Sequence, residues 1–165
     1  MIDVVDASTR SRMMAGIRPS NTKPERLVRS ALHRRGLRFA RSPLNLLGRP
    51  DAVLPKWRVA VFVNGCFWHL HGCKLSKMPG SNQKFWSIKL LANQIRDRRN
   101  AEALVETGWR VLYVWECALR GVDASVQFEQ RMNEVAIWVR NQHMAVYCDV
   151  SGVGVIYRKG FDESN

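Results

Sequence analysis

Two stretches of the chain carry apolar residues with almost no interruption: Arg58-Val59-Ala60-Val61-Phe62-Val63 and Trp109-Arg110-Val111-Leu112-Tyr113-Val114-Trp115. Runs of this length, rich in β-branched and aromatic residues, predict strands buried on both faces under covering helices. A shorter run, Asp51-Ala52-Val53-Leu54, predicts a strand that turns into its neighbour at Pro55-Lys56-Trp57. Leu37 to Ala40 has a further strand-like pattern. Helical spacing appears at Leu27, Val28, Ala31 and Leu32, behind the capping box Thr22-Lys23-Pro24-Glu25 and ahead of a terminating Gly36. Residues 84–107 place apolar side chains at Phe85, Ile88, Leu91, Ile95, Ala101 and Leu104, with Arg96, Arg98 and Arg99 between them. That spacing predicts a long amphipathic helix stopped by Gly108. A second one is expected over 123–141, a short basic helix over 8–18 before Pro19-Ser20-Asn21, and β structure between Met144 and Tyr157. The order of helix, strands, helix and strand predicts an α/β fold with a mixed central sheet flanked by helices. Residues 1–20 read as an N-terminal arm, 21–141 as the core and 142–165 as an extension with no assigned role.

Charge narrows the range of partners. Lys and Arg number 26 against 14 Asp and Glu, a net charge of +12 over 165 residues. Such an excess points to a polyanion, most often nucleic acid and less often an anionic membrane surface. No stretch approaches the ~18 apolar residues of a membrane span. Met1 to Arg12 lacks the apolar core of a secretory signal, so a cytoplasmic protein is expected. In that compartment cysteines serve metals more often than disulfides.

The densest chemistry lies in Cys66-Phe67-Trp68-His69-Leu70-His71-Gly72-Cys73, with Cys117 far downstream in Trp115-Glu116-Cys117. A closed structural zinc site takes four thiolate or imidazole ligands, and Cys66, Cys73, Cys117 and one histidine make a Cys3His set. The spacing leaves His69 and His71 equally eligible. The histidine left over becomes a catalytic candidate. Phe67 and Trp68 sit in a loop where a deep core is out of reach, and Met14 lies on the basic N-terminal segment. Apolar side chains so placed suit wedging between DNA base steps. Cys148 stands apart as a small buried hydrophobe.

The element order, with Asp51 in Gly48-Arg49-Pro50-Asp51 and the next strand ending Phe62-Val63-Asn64, resembles the PD-(D/E)XK, restriction-endonuclease-like fold. A closer resemblance rests on four segments. They are Ala7-Ser8-Thr9-Arg10-Ser11-Arg12-Met13-Met14, Gly48-Arg49-Pro50-Asp51, Asn64-Gly65-Cys66-Phe67-Trp68-His69, and Gly108-Trp109-Arg110-Val111 through Trp115-Glu116-Cys117-Ala118-Leu119-Arg120-Gly121. Together, over roughly residues 6–121, they resemble the very short patch repair (Vsr) endonucleases. The resemblance implies a magnesium-dependent nick 5′ of the thymine of a T:G mismatch in double-stranded DNA, made by a monomer, with other mismatch-repair proteins as candidate partners. It implies Asp51 and the Val63 main-chain carbonyl as magnesium ligands and His69 beside the attacking water. Glu25 would be linked to the site through water, and Cys66, His71, Cys73 and Cys117 would hold zinc. Met14, Phe67 and Trp68 match the residues that enter the DNA. Asn64 is a departure, because it replaces a family histidine used in catalysis, and an amide orients water without accepting its proton. Two other readings follow: a zinc-stabilised DNA-binding module of the same fold with impaired catalysis, and a related nuclease with another DNA target.

Overall fold

The computed structural model describes residue 9 and residues 20–41, 46–120 and 124–160. Of the helix expected over 8–18 only Thr9 is described, in helical conformation, and Met14 lies outside the described residues. Within residues 20–160, the described α-helices α1 (Lys23–Arg34), α2 (Gln83–Glu106) and α3 (Ala124–Arg140) accompany strands β1 (Ala52–Leu54), β2 (Val59–Asn64), β3 (Arg110–Trp115), β4 (Tyr147–Val150) and β5 (Val155–Arg158). The strands form one mixed sheet in chain order. β2, β3 and β4 run parallel, while β1 and β5 pair antiparallel at the two ends. Parallel neighbours need a long crossover, and α2 and α3 provide the two that are required.

The two apolar runs are explained by burial on both faces. Val59, Val61, Leu112, Val114, Cys148 and Val150 pack with Val28 and Leu32 of α1 and with Met132, Val135 and Trp138 of α3. Ala60, Val111, Tyr113 and Tyr147 point the other way, against Ala101 and Leu104 of α2. The mixed sheet flanked by helices is therefore as expected. The segment after residue 141 supplies β4 and β5, and so completes that sheet.

Two expectations change. Leu37 to Ala40 is not a strand; only Ala40 bridges Val53, because the Leu37 N–H is taken up in closing α1 onto Leu32 O at 3.0 Å. The second change concerns α2. Phe85, Ile88, Leu91 and Ile95 are 56%, 62%, 51% and 60% exposed, and the buried positions are Leu90, Ala101 and Leu104. The second half of α2 packs on the sheet through Ala101 and Leu104, while the first half meets the loop that follows β2 through Trp86 and Asn93.

Arg110 ties β3 to α3. Its guanidinium donates to Val139 O at 3.2 Å and Trp138 O at 2.8 Å, and lies 3.9 Å above the Trp138 ring. These are carbonyls of the last helical turn, which lack helical partners of their own. Arg110→Leu removes the bonds and leaves the carbonyls dry. A loss of about 2–4 kcal/mol in urea unfolding is expected, with Arg110→Lys recovering only part of it.

Candidate active site

The parallel strands end together, and their carboxyl ends form the edge at which ligands of open α/β sheets bind. Asn64 and Trp115 are register partners at that edge. Asp51 enters from the start of β1. Its Oδ2 accepts the Val63 N–H at 2.7 Å, which leaves the other carboxylate oxygen for a ligand. Burial, assisted by nearby Glu25 and opposed by the Val63 N–H and Arg29, pushes the Asp51 carboxyl up to about 6. A half-buried acid held in that state is relieved by a cation, and its hard oxygens suit magnesium.

Glu25 is placed beside this site with both oxygens engaged. Oε2 accepts from Asn21 N–H at 2.8 Å and Arg29 Nη1 at 3.2 Å. Oε1 accepts from the Thr22 hydroxyl at 2.8 Å and the Thr22 N–H at 3.2 Å, completing the capping box. Arg29 Nη1 also donates to Asp51 O at 3.1 Å, and its Nη2 donates to Asn21 Oδ1 at 2.7 Å. Glu25 thus reaches Asp51 through Arg29, a residue the sequence offers only as another helical arginine.

The loop after β2 brings three of four candidate metal ligands together, and Cys117 joins them from beyond β3. One ligand atom from each of Cys66, His71, Cys73 and Cys117 lies within 4.8 Å of all the others. Zinc bonded to sulfur at ~2.3 Å needs ligand atoms about this close, so the set fits a tetrahedron. His71 points Nδ1 at Cys117 Sγ, 3.5 Å away, and its ring stacks on Trp115 at 4.2 Å. Backbone N–H groups donate to each sulfur: Cys117 to Cys66 at 3.4 Å, Leu75 to Cys73 at 3.4 Å, and Gly152 to Cys117 at 3.2 Å. Such bonds orient ligands and favour thiolates. Gly72 makes the turn possible with a φ of +83°, a region costly for other residues. Burial, the largest influence on each, pushes the Cys66 and Cys117 thiols up and the His71 imidazole down.

His69 lies outside this cluster. Its Nδ1 pairs with the carboxylate of Asp97 on α2, which also accepts from Arg96 at 3.2 Å. The pair stands between two clefts. One, of about 800 Å³, holds Asp51, Val63, Glu25, Arg49, Arg96 and Trp68. The other, of about 700 Å³, lies between α2 and β5, with Trp115, Asp149 and Arg158 in its wall. Asn64 lines both and is 7% exposed. Asp97 went unnoticed in the sequence because it sits among Arg96, Arg98 and Arg99 and reads as part of a solvated face. A histidine in a loop and an acid one helix later give no periodic signal.

Phe67 and Trp68 are half-buried and meet Trp86 of α2, with ring centroids 5.4 Å and 5.9 Å away. Lys89 Nζ lies 5.6 Å from the Trp68 centroid and 5.4 Å from that of Trp86. Asn93 donates to Trp68 O at 3.1 Å. A Cβ on Gly65 would stand 3.2 Å from Trp68 Cδ1, so a side chain there would push the indole a few tenths of an ångström. The sequence does not single out Trp86, which shares a helix face with Lys89 and Asn93.

Comparison with known proteins gives this arrangement a class. The model of the family described as DNA mismatch endonuclease Vsr matches residues 2–75. The DNA mismatch endonuclease Vsr of Escherichia coli (strain K12) is 39% identical over 158 residues, covering 94% of this chain and 99% of its own. The type II nicking enzyme V.XorIIP of Xanthomonas oryzae pv. oryzae is 44% identical over 124 residues, 75% of this chain and 91% of its own. V.NmeAIP of Neisseria meningitidis serogroup A is 41% identical over 120 residues, 73% and 86%. The chain is an α/β protein of the endonuclease class. It belongs to the Vsr family of DNA mismatch endonucleases. Among the described residues no helix is long and apolar enough to cross a membrane.

Proposed function

We propose that the protein, as a monomer with a PD-(D/E)XK core, nicks one strand of duplex DNA on the 5′ side of the thymine of a T:G mismatch. The observation that carries this reading is the single cleft joining Asp51 to the His69–Asp97 pair, rimmed by Arg49, Arg96 and Trp68. Asp51 and the Val63 carbonyl would hold magnesium, and Cys66, His71, Cys73 and Cys117 would hold zinc. Magnesium there would neutralise charge that develops on phosphate and lower the pKa of water.

The chain's own residues do the rest. Asp97 fixes the His69 ring through Nδ1, which leaves Nε2 as the atom that takes the proton of the attacking water. Arg49 and Arg96 meet phosphate oxygens. Asn64 orients water and accepts no proton. Phe67, Trp68 and Trp86 form one rigid wedge that opens the base step at the mismatch, with Met14 assigned to the same task. A mismatch resists opening less than a paired step, so the wedge selects it.

The test is incubation with magnesium and duplexes carrying T:G, other mismatches or none. A nick confined to the T:G strand is expected. Cutting of matched DNA would assign another target, and binding with no cut on any duplex would make the chain a DNA-binding module.

Trp68→Ala should lower affinity for T:G duplex toward that for matched duplex, leaving salt-sensitive binding from the +12 charge in place. Equal loss on both duplexes would make Trp68 structural. Asn64→His should raise the single-turnover nicking rate, within the ~10²–10⁴-fold range of general-base contributions, and add an ionisation to the pH profile. An unchanged rate would remove Asn64 from the chemistry.

A further inference from the structure

Along the first half of α2, two apolar faces stand opposite one another. Trp86, Leu90 and Asn93 turn toward the zinc loop, with Asp97 continuing that face to His69. Ile88, Leu91 and Ile95, spaced i, i+3 and i+7, occupy the far side at 62%, 51% and 60% exposure. At 3.6 residues per turn these three form one seam about half a turn away from Leu90 and Asp97. Ile156 of β5, 39% exposed, continues the patch across the cleft that Ile95 lines. Aliphatic side chains gain nothing from water, and a contiguous exposed seam of them marks a contact surface.

Charge selects what covers it. From residue 74 to 96 the chain has no acid, and on α2 Lys84, Arg98 and Arg99 fall on the seam's side of the helix, whereas Lys89 and Arg96 belong to the DNA face. The next acids on α2 are committed, Asp97 to His69 and Arg96, and Glu102 to Arg98. A second copy packed antiparallel about Leu91 would set Lys84 against Arg98 twice, and a parallel copy would set Lys84 against Lys84. DNA is assigned to the aromatic face on the other side of the helix. We propose that Ile88, Leu91 and Ile95 dock an amphipathic helix of another protein whose apolar seam is rimmed by Asp and Glu, and that they do so while DNA is bound. Helix-in-groove recognition uses this i, i+3, i+7 anchoring, and the opposite rims supply register.

The probe is a synthetic helical peptide with a leucine seam and a glutamate rim, titrated into full-length protein carrying labelled Ile and Leu methyls. A peptide with the same seam and a lysine rim is the control. Saturable shifts at Ile88, Leu91, Ile95 and Ile156 are expected with the glutamate peptide. They should be at least tenfold weaker with the lysine peptide and persist with a T:G duplex bound. Ile88→Gln/Leu91→Gln should erase them, leave nicking by the purified enzyme within twofold, and lower T:G correction in cells. Several results would overturn the proposal: shifts spread over the basic surface, shifts lost on DNA binding, or impaired nicking by the purified double variant. Self-association removed by that variant would assign the seam to a second copy. Binding to anionic vesicles without binding to the peptide would assign it to a membrane.

Discussion

Asp51→Asn is expected to reduce T:G nicking below detection while leaving duplex affinity within about twofold. The carboxylate accepts one N–H from Val63 and otherwise faces the cleft, and an asparagine oxygen can keep that bond. The loss is therefore in the chemistry. A stability measurement in chelator separates the roles further. Burial raises the Asp51 carboxyl to about 6, above its unfolded value, so the protonated group contributes stability at low pH. That contribution is lost as pH rises from the unfolded value through 6. Without divalent metal, Asp51→Asn should therefore be the more stable protein at pH 8, by about 2 kcal/mol once solvent screening is allowed for, and should lose that advantage below pH 4. Persistent nicking by the variant would place the metal site elsewhere. A variant less stable at pH 8 would make Asp51 a structural residue.

Cys117→Ser should remove three properties at once: bound zinc, nicking and mismatch preference. Cys117 is the one ligand from outside the 66–73 loop, and it anchors that loop to the end of β3 and, through Gly152 N–H, to the turn between β4 and β5. Phe67, Trp68 and His69 lie between Cys66 and His71, so an ion closing the loop would also fix the proposed wedge and proton acceptor. Metal binding of this kind contributes directly to folding, and its loss should cost several kcal/mol. Elemental analysis of protein purified without added metal should find one zinc per chain. Folded wild-type protein with none, or a metal-free Cys117→Ser that still prefers T:G, would refute the coupling.

The elements were legible wherever burial imposed a regular period. The β2 and β3 runs, the Thr22 capping box and the stop at Gly108 needed no tertiary knowledge. The Cys/His cluster was legible as residue types, although spacing left His69 and His71 equivalent until the loop's path sent His71 to Cys117 and His69 to Asp97. The outer seam of α2 misled for the opposite reason. Apolar periodicity shows that a face is to be covered and does not show by what, so the amphipathic pattern does not separate exposed Ile88, Leu91 and Ile95 from buried Ala101 and Leu104.

By itself, the sequence determined which residues could carry chemistry: the buried strands, the thiol and imidazole donors, the acid at residue 51 and the excess of positive charge. Side-chain type and local period are properties of short stretches of chain. Only the tertiary structure decided which groups act together. The pairing of His69 with Asp97, the reach of Glu25 to Asp51 through Arg29 and the joining of Trp86 to Phe67 and Trp68 each span a crossover or a loop. Those contacts come from how helices pack on the sheet, and no pattern along the chain encodes them locally.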